Sequence, residues 1–141
     1  MKTIIILSVL FSSFISPDLL AQRSLEITVE NIKDIKGSMR VGIYNNEKDF
    51  PDKPAEGKVV QVSAETLTVV FEGVQPGDYA ISIFHDENNN GELDTNGVGI
   101  PKEGFAFGNN AIGMFGPPSF DKAKITIGNE NLKQTLKLKH F

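Results

Sequence analysis

The chain reads as an all-β protein, a single antiparallel β-sandwich of about seven strands. Three observations predict this. Apolar and polar residues alternate at period two in run after run. Clusters of turn-forming residues separate the runs. No window of useful length carries the 3.6-residue apolar stripe of a core-facing helix.

The runs can be taken in order. "SLEITVEN" sets Leu25, Ile27 and Val29 on one face, with Glu26, Thr28 and Glu30 on the other. "MRVGIY" does the same with Met39, Val41 and Ile43, and "KVVQV" at 58–62 is a shorter candidate. "TLTVVFEG" offers Leu67, Val69 and Phe71, and "DYAISIFH" offers Tyr79, Ile81 and Ile83. "KITIG" supplies Ile125 and Ile127, and "TLKLKHF" supplies Leu136 and Leu138. "IKGS", "GVQPGD" and "GNEN" punctuate them with turn chemistry. Two long connections remain, 45–57 and 86–121, and no strand is expected in the second. A loop of that length in a compact domain is usually functional or specially anchored.

The chain has 141 residues, enough for one domain with a substantial core. Its start reads as a secretory signal peptide. Lys2 gives a positive end, the stretch from Ile4 to Ile15 is apolar, Ser16 and Pro17 break it, and Ala21 suits signal peptidase. The expected domains are therefore a signal peptide at 1–21 and a β-sandwich domain at 22–141, in a protein exported to the periplasm, the cell surface or the medium. The mature part keeps the net charge of −4 of the whole chain. That argues against nucleic acid, which needs clustered Lys and Arg. The sequence has no cysteine, so an exported domain must do without disulfides and rest on its core and turns.

The stretch "HDENNNGELDTNG", from His85 to Gly97, concentrates four acidic residues and four asparagines directly after an apolar strand. Calcium takes six to eight oxygens, about the number a tight turn with short oxygen-bearing side chains at alternate positions brings together. With Asp86 at the first position, Asn88, Asn90 and Asp94 fall at the third, fifth and ninth. Gly91 falls where the chain must bend, Glu92 ligates through its carbonyl, and Leu93 can point toward the core. The twelfth position, a bidentate Glu in helix–loop–helix sensors, is Gly97 here, and a strand precedes the loop. The expected ligand set for a structural calcium ion is thus Asp86, Asn88, Asn90, Glu92 and Asp94. The competing reading is a metal-free polar turn, since Asn, Asp and Gly form turns with or without a cation. His85 continues the inward face of Tyr79, Ile81 and Ile83, so it is expected to be buried and hydrogen-bonded.

The segment from Gly97 to Phe120 is rich in glycine and phenylalanine. Phe105, Phe107, Asn109, Asn110 and Phe115 are its candidate partner-binding residues, toward an envelope protein or a glycan. The alternative is that the phenylalanines fold back and pin the loop. No thiol, H-E-x-x-H arrangement or G-x-S-x-G elbow is present. The expectation is a non-enzymatic module, against the alternative of an enzyme using the acidic loop and His85.

The run from Phe71 to Ile127 resembles the bacterial exported family catalogued as domain of unknown function 2141. The specific parts are "HDENNNGELD", "GIPKEGFAFGNNA" and "FGPPSF", and "RVGIYNNEKDFP" extends the similarity. The resemblance implies a small exported β-sandwich with no assigned activity. "GVQPGDYAISIFHD" also looks like the late strand of collagen-adhesin B-type and transthyretin-like modules, which points to a sandwich of the immunoglobulin or transthyretin type. Transthyretin-like hydrolases end in Tyr-Arg-Gly-Ser, whereas this chain ends "KLKHF", so that activity does not carry over.

Overall fold

A computed structural model describes residues 23–141; the expected signal peptide lies outside the described residues. Eight strands form: β1 Ser24–Glu30, β2 Ser38–Tyr44, β3 Glu56–Gln61, β4 Leu67–Glu72, β5 Gly77–Asp86, β6 Phe105–Phe107, β7 Lys124–Ile127 and β8 Leu132–Lys137. They make two sheets, one of three strands in the order β4-β1-β8, the other of five in the order β3-β2-β5-β6 with β7 also on β5. The alternating residues point where the period-two pattern puts them. Leu25, Ile27, Val29, Met39, Val41, Ile43, Val69, Phe71, Ile81, Ile83, Ile125, Ile127, Leu136 and Leu138 form one buried core drawn from both sheets. Each fully buried Val, Leu, Ile or Phe contributes about 1.5–3 kcal/mol of transfer free energy.

The structure departs from the expected pattern in two places. First, the sandwich is not purely antiparallel: β8 runs parallel to β1, from Leu25 beside Leu132 to Glu30 beside Lys137. The cause is topological. β2 and β7 both lie antiparallel to β5, β1 reverses into β2 across the sheets, and β7 reverses into β8. The two outer members must then point the same way. Second, the long connection holds the short strand β6, which pairs Phe107 with Ser82 and Phe105 with Phe84. Three residues between Gly104 and Gly108 are too few for an alternation to be read.

β5 is long enough to share one edge between two partners. Its first half takes β7 and its second half takes β6. A single helical turn, α1 at Phe120–Ala123, precedes β7 and begins where the Ser119 side chain accepts from the Lys122 N–H. On the outer face of the five-stranded sheet a second, smaller cluster gathers Tyr44, Ala80, Phe107 and Ala123 with Phe50, Phe105 and Phe120. Phe50 is its hub, edge-on to Tyr44 at 5.2 Å, Phe107 at 5.9 Å and Phe120 at 6.1 Å. Among the described residues no helix is long and apolar enough to cross a membrane.

The two phenylalanine environments predict opposite behaviour on truncation. Phe107→Ala should cost about 3 kcal/mol, because it opens a cavity in the outer cluster. Phe115→Ala should leave stability within about 0.5 kcal/mol, because Phe115 is 100% exposed. Urea unfolding of the two variants tests the contrast.

Candidate functional site

The acidic stretch begins on the outer face of β5. Ser38 lies opposite Asp86 across the β2–β5 ladder, and Arg40 lies opposite Phe84. Residues two apart on a strand share a face, so Arg40 sits diagonal to Asp86, within reach of a long side chain. Arg40 Nε donates to Asp86 Oδ2 at 2.7 Å. The loop then folds back over this pair. Gly91 N–H donates to the same Oδ2 at 2.9 Å, and Asn90 N–H donates to Oδ1 at 3.0 Å. Asp86 is 0% exposed although it stands on the sheet's solvent side. Burial alone would push its carboxyl up, but the Arg40 guanidinium and the Gly91 and Asn90 amides outweigh it and hold the group below the ordinary value of 3.8.

Around this anchor the remaining expected ligands converge. Asn88 Nδ2 donates to Asp94 Oδ2 at 2.6 Å, and Asn90 Nδ2 donates to Asp94 Oδ1 at 2.8 Å. The side-chain oxygens of the two asparagines close Asx-turns, Asn88 Oδ1 on Asn90 N–H at 3.2 Å and Asn90 Oδ1 on Glu92 N–H at 2.9 Å. Glu92 is exposed, and Leu93 is half-buried. The first, third, fifth and ninth positions therefore share one neighbourhood, at this point cross-linked by amide donors. Turning each asparagine amide end for end would offer two oxygens and the Asp94 carboxylate to a cation, at the loss of the two Asx-turn bonds. Among the described residues no three His, Cys, Asp or Glu side chains are grouped so as to hold a metal. A cation here would rest on two carboxylates plus amide and carbonyl oxygens, the donor chemistry of a hard ion.

Two residues that sequence reasoning missed organise the loop. Arg40 is one. In an alternating strand it reads as an ordinary solvent-facing charge, and its place beside Asp86 depends on strand register. Glu103 is the other. It is buried, and its two carboxylate oxygens accept from Glu87 N–H and Asp94 N–H, both at 2.9 Å. It ties both ends of the acidic stretch from a point nine residues beyond Asp94. A lone acidic residue between a lysine and a glycine carries no sequence signal for such a role.

His85 is fully buried, as its place on the inward face requires. Its Nε2 lies 2.7 Å from the Lys36 carbonyl, which can only accept, so Nε2 carries the proton. Nδ1 has no partner among the described residues. The contact pins the turn before β2, where Gly37 has a φ of +64° and packs so tightly that a Cβ would overlap the Asp86 carbonyl oxygen. Lys36 Nζ meets Glu87 at 3.0 Å across the same junction.

The candidate partner residues fall into two groups. Phe105 and Phe107 pack in the outer aromatic cluster. Asn109 and Asn110 have φ of +59° and +53°, a conformation that Asn tolerates better than most residues. Their side chains stitch the loop to the body. Asn109 Nδ2 donates to the Lys124 carbonyl at 2.7 Å, and Asn110 accepts from Lys137 N–H at 2.9 Å while donating to the Thr135 carbonyl at 3.2 Å. Both asparagines stay exposed to solvent while making these bonds, and Phe115 projects fully into solvent, as Ile112 and Met114 largely do.

Two variants test this account. Arg40→Met leaves a buried carboxylate without its counter-charge and should cost about 3 kcal/mol at neutral pH. A carboxyl held below its unfolded value stabilises the fold above that value, and the stabilisation is lost as pH falls through the folded one. The deficit of Arg40→Met should therefore shrink as the pH is taken well below 3.8, which urea midpoints across a pH series will read. Glu103→Gln keeps the shape but turns one acceptor into a donor facing an N–H. It should cost about 1–3 kcal/mol and raise hydrogen exchange at the Glu87 or Asp94 amide.

No curated protein and no solved structure gives a significant match to the chain. A family profile does, over residues 27–135, which span β1 to β8 and include the whole acidic loop. The chain belongs to the family of uncharacterized proteins conserved in bacteria termed DUF2141.

Proposed function

We propose that this chain is a non-enzymatic, exported β-sandwich module of the immunoglobulin or transthyretin type, whose 86–94 loop holds a structural calcium ion. The observation that carries the reading is the convergence of Asn88 and Asn90 on the Asp94 carboxylate, at 2.6 and 2.8 Å, above the Asp86 carboxylate. Arg40 and Gly91 occupy Oδ2 of Asp86, while Oδ1 receives one amide and keeps a lone pair for a cation. The Glu92 carbonyl completes the set. The role is structural because the loop's buried carboxylates serve backbone amides and Arg40 rather than an open cleft. That arrangement also favours non-enzymatic over catalytic use of Asp86 and His85.

A second reading has its own observation. The 2.7 Å Arg40–Asp86 bond already supplies a positive charge, and a loop so neutralised stands without metal. Calcium titration separates the two. At about 2 mM calcium and a Kd of about 10⁻⁴ M, linkage stabilises the fold by about 1.8 kcal/mol, a rise in Tm of several degrees. The rise should be absent with magnesium and reversed by chelator. Asp94→Ala is the appropriate control, because Asp86 also holds the turn together whether or not metal binds. Asp94→Ala lowers the calcium-free Tm as well, because it removes the bonds from Asn88 and Asn90, so the ion site is supported when the further rise with calcium disappears in this variant. No response in the parent protein establishes the Arg40-neutralised turn instead. The partner face in this reading is the exposed tip at Ile112, Met114 and Phe115, offered to an envelope protein or a glycan.

A further inference from the structure

The acidic stretch contains two Asn-Gly pairs, Asn90–Gly91 and Asn96–Gly97. Such pairs can cyclise without an enzyme, because glycine has no Cβ to hinder attack by its own amide nitrogen on the preceding side chain. From their hydrogen bonds we propose that Asn96 is a site of spontaneous deamidation and isoaspartate formation, while Asn90 is protected. The hydrogen bonds it rests on are those of the calcium-free loop.

At Asn96 the attacking Gly97 N–H and the leaving Nδ2 are unbonded among the described residues and the developing charge is met, while the Asn96 carbonyl accepts from Gly99 N–H at 3.0 Å. Asn96 and Gly97 are exposed, and the Gly97 N–H has no acceptor among the described residues. Asn96 Oδ1 accepts from Val98 N–H and from Ile100 N–H, each at 3.0 Å. The first bond closes an Asx-turn across the Asn96–Gly97 peptide. The pair together acts as an oxyanion hole for a tetrahedral intermediate. The Gly97 nitrogen loses its proton to solvent base and bonds to Asn96 Cγ. The Cγ–Nδ2 bond then breaks, and ammonia leaves with a proton from water. Water next opens the five-membered imide at either carbonyl, giving aspartate or its β-linked isomer. One water is consumed and one ammonia released.

Asn90 has the same sequence and the opposite surroundings. Gly91 N–H donates to Asp86 Oδ2 at 2.9 Å, so removing its proton would set a second negative charge against a buried carboxylate. Asn90 Nδ2 is held by Asp94, and Oδ1 receives a single N–H, from Glu92. A hydrogen bond to a charged group lost on reaction corresponds to a rate reduction of about tenfold or more. At position 96 the product would place a carboxylate, or a backbone longer by one methylene, in the turn that the Thr95–Pro101 bridge closes.

The test is incubation of the full chain with chelator at mildly alkaline pH, folded and in urea, followed by peptide mapping that separates aspartate from isoaspartate. In urea both sites should convert at similar rates. In the folded protein Asn96 should convert no more slowly than in urea, and Asn90 at least about tenfold more slowly. Gly97→Ala, whose Cβ enters open space, should keep the Tm and suppress conversion at Asn96. Equal rates at the two sites in the folded protein overturn the proposal. So does a folded Asn96 that is stable while the unfolded one reacts.

Discussion

Asp86 is a charge buried on the face of a sheet that ordinarily meets water, and the loop above it exists in its observed form because that charge is satisfied. An ion pair of this kind is weak evidence for net stability, since desolvation opposes the Coulomb attraction. Its value here is positional. One carboxylate receives a guanidinium from β2 and two amides from its own loop, so strand register and loop conformation are specified by the same two oxygens. A register slip of one residue on β2 would carry Arg40 to the core face and leave Asp86 unpaired.

Glu103 repeats the arrangement from the far side. The two carboxylates bracket the acidic stretch, and each is filled mainly by backbone N–H groups that a turn would otherwise leave to solvent. Ordering a loop costs roughly 1–2 kcal/mol per residue in backbone entropy. Hydrogen bonds to charged acceptors, at about 1.5–3 kcal/mol each, are among the few local interactions strong enough to offset that. The concentration of acid in this loop, which in the sequence suggests repulsion, is in the fold largely a supply of acceptors.

The strands were legible because period-two alternation is a one-dimensional signal. Leu25, Ile27 and Val29 announce their face without reference to any other part of the chain. The parallel course of β8 and the pairing of β6 were not legible, because both depend on which distant edge a short segment meets. The candidate site divides in the same way. Asp86, Asn88, Asn90 and Asp94 are close in sequence and could be read from spacing. Arg40 and Glu103 reach the same place across a ladder and around a loop, and nothing in their neighbours marks them. His85 was accessible to reasoning because alternation alone gives its burial, though the Lys36 carbonyl it meets lies far off in sequence.

The long connection shows why a loop's composition and its exposed surface are different things. Residues 105–120 contain no charged side chain and five phenylalanines or methionines, a composition that suggests a sticky surface throughout. Most of it is spent internally. Phe107 and Phe120 pack on Phe50, Phe105 packs on Phe107, and Asn109 and Asn110 answer the backbone of neighbouring strands. What remains is a short tip, with Met114 90% and Phe115 100% exposed, held on a base that is bonded on both sides. A tip of that kind keeps its apolar side chains out of reach of the core they would otherwise join. The bonds and packing of the base hold the tip away from the sheet. Freeing the base by removing Phe107 or Asn110 would allow the apolar residues to collapse onto the sheet.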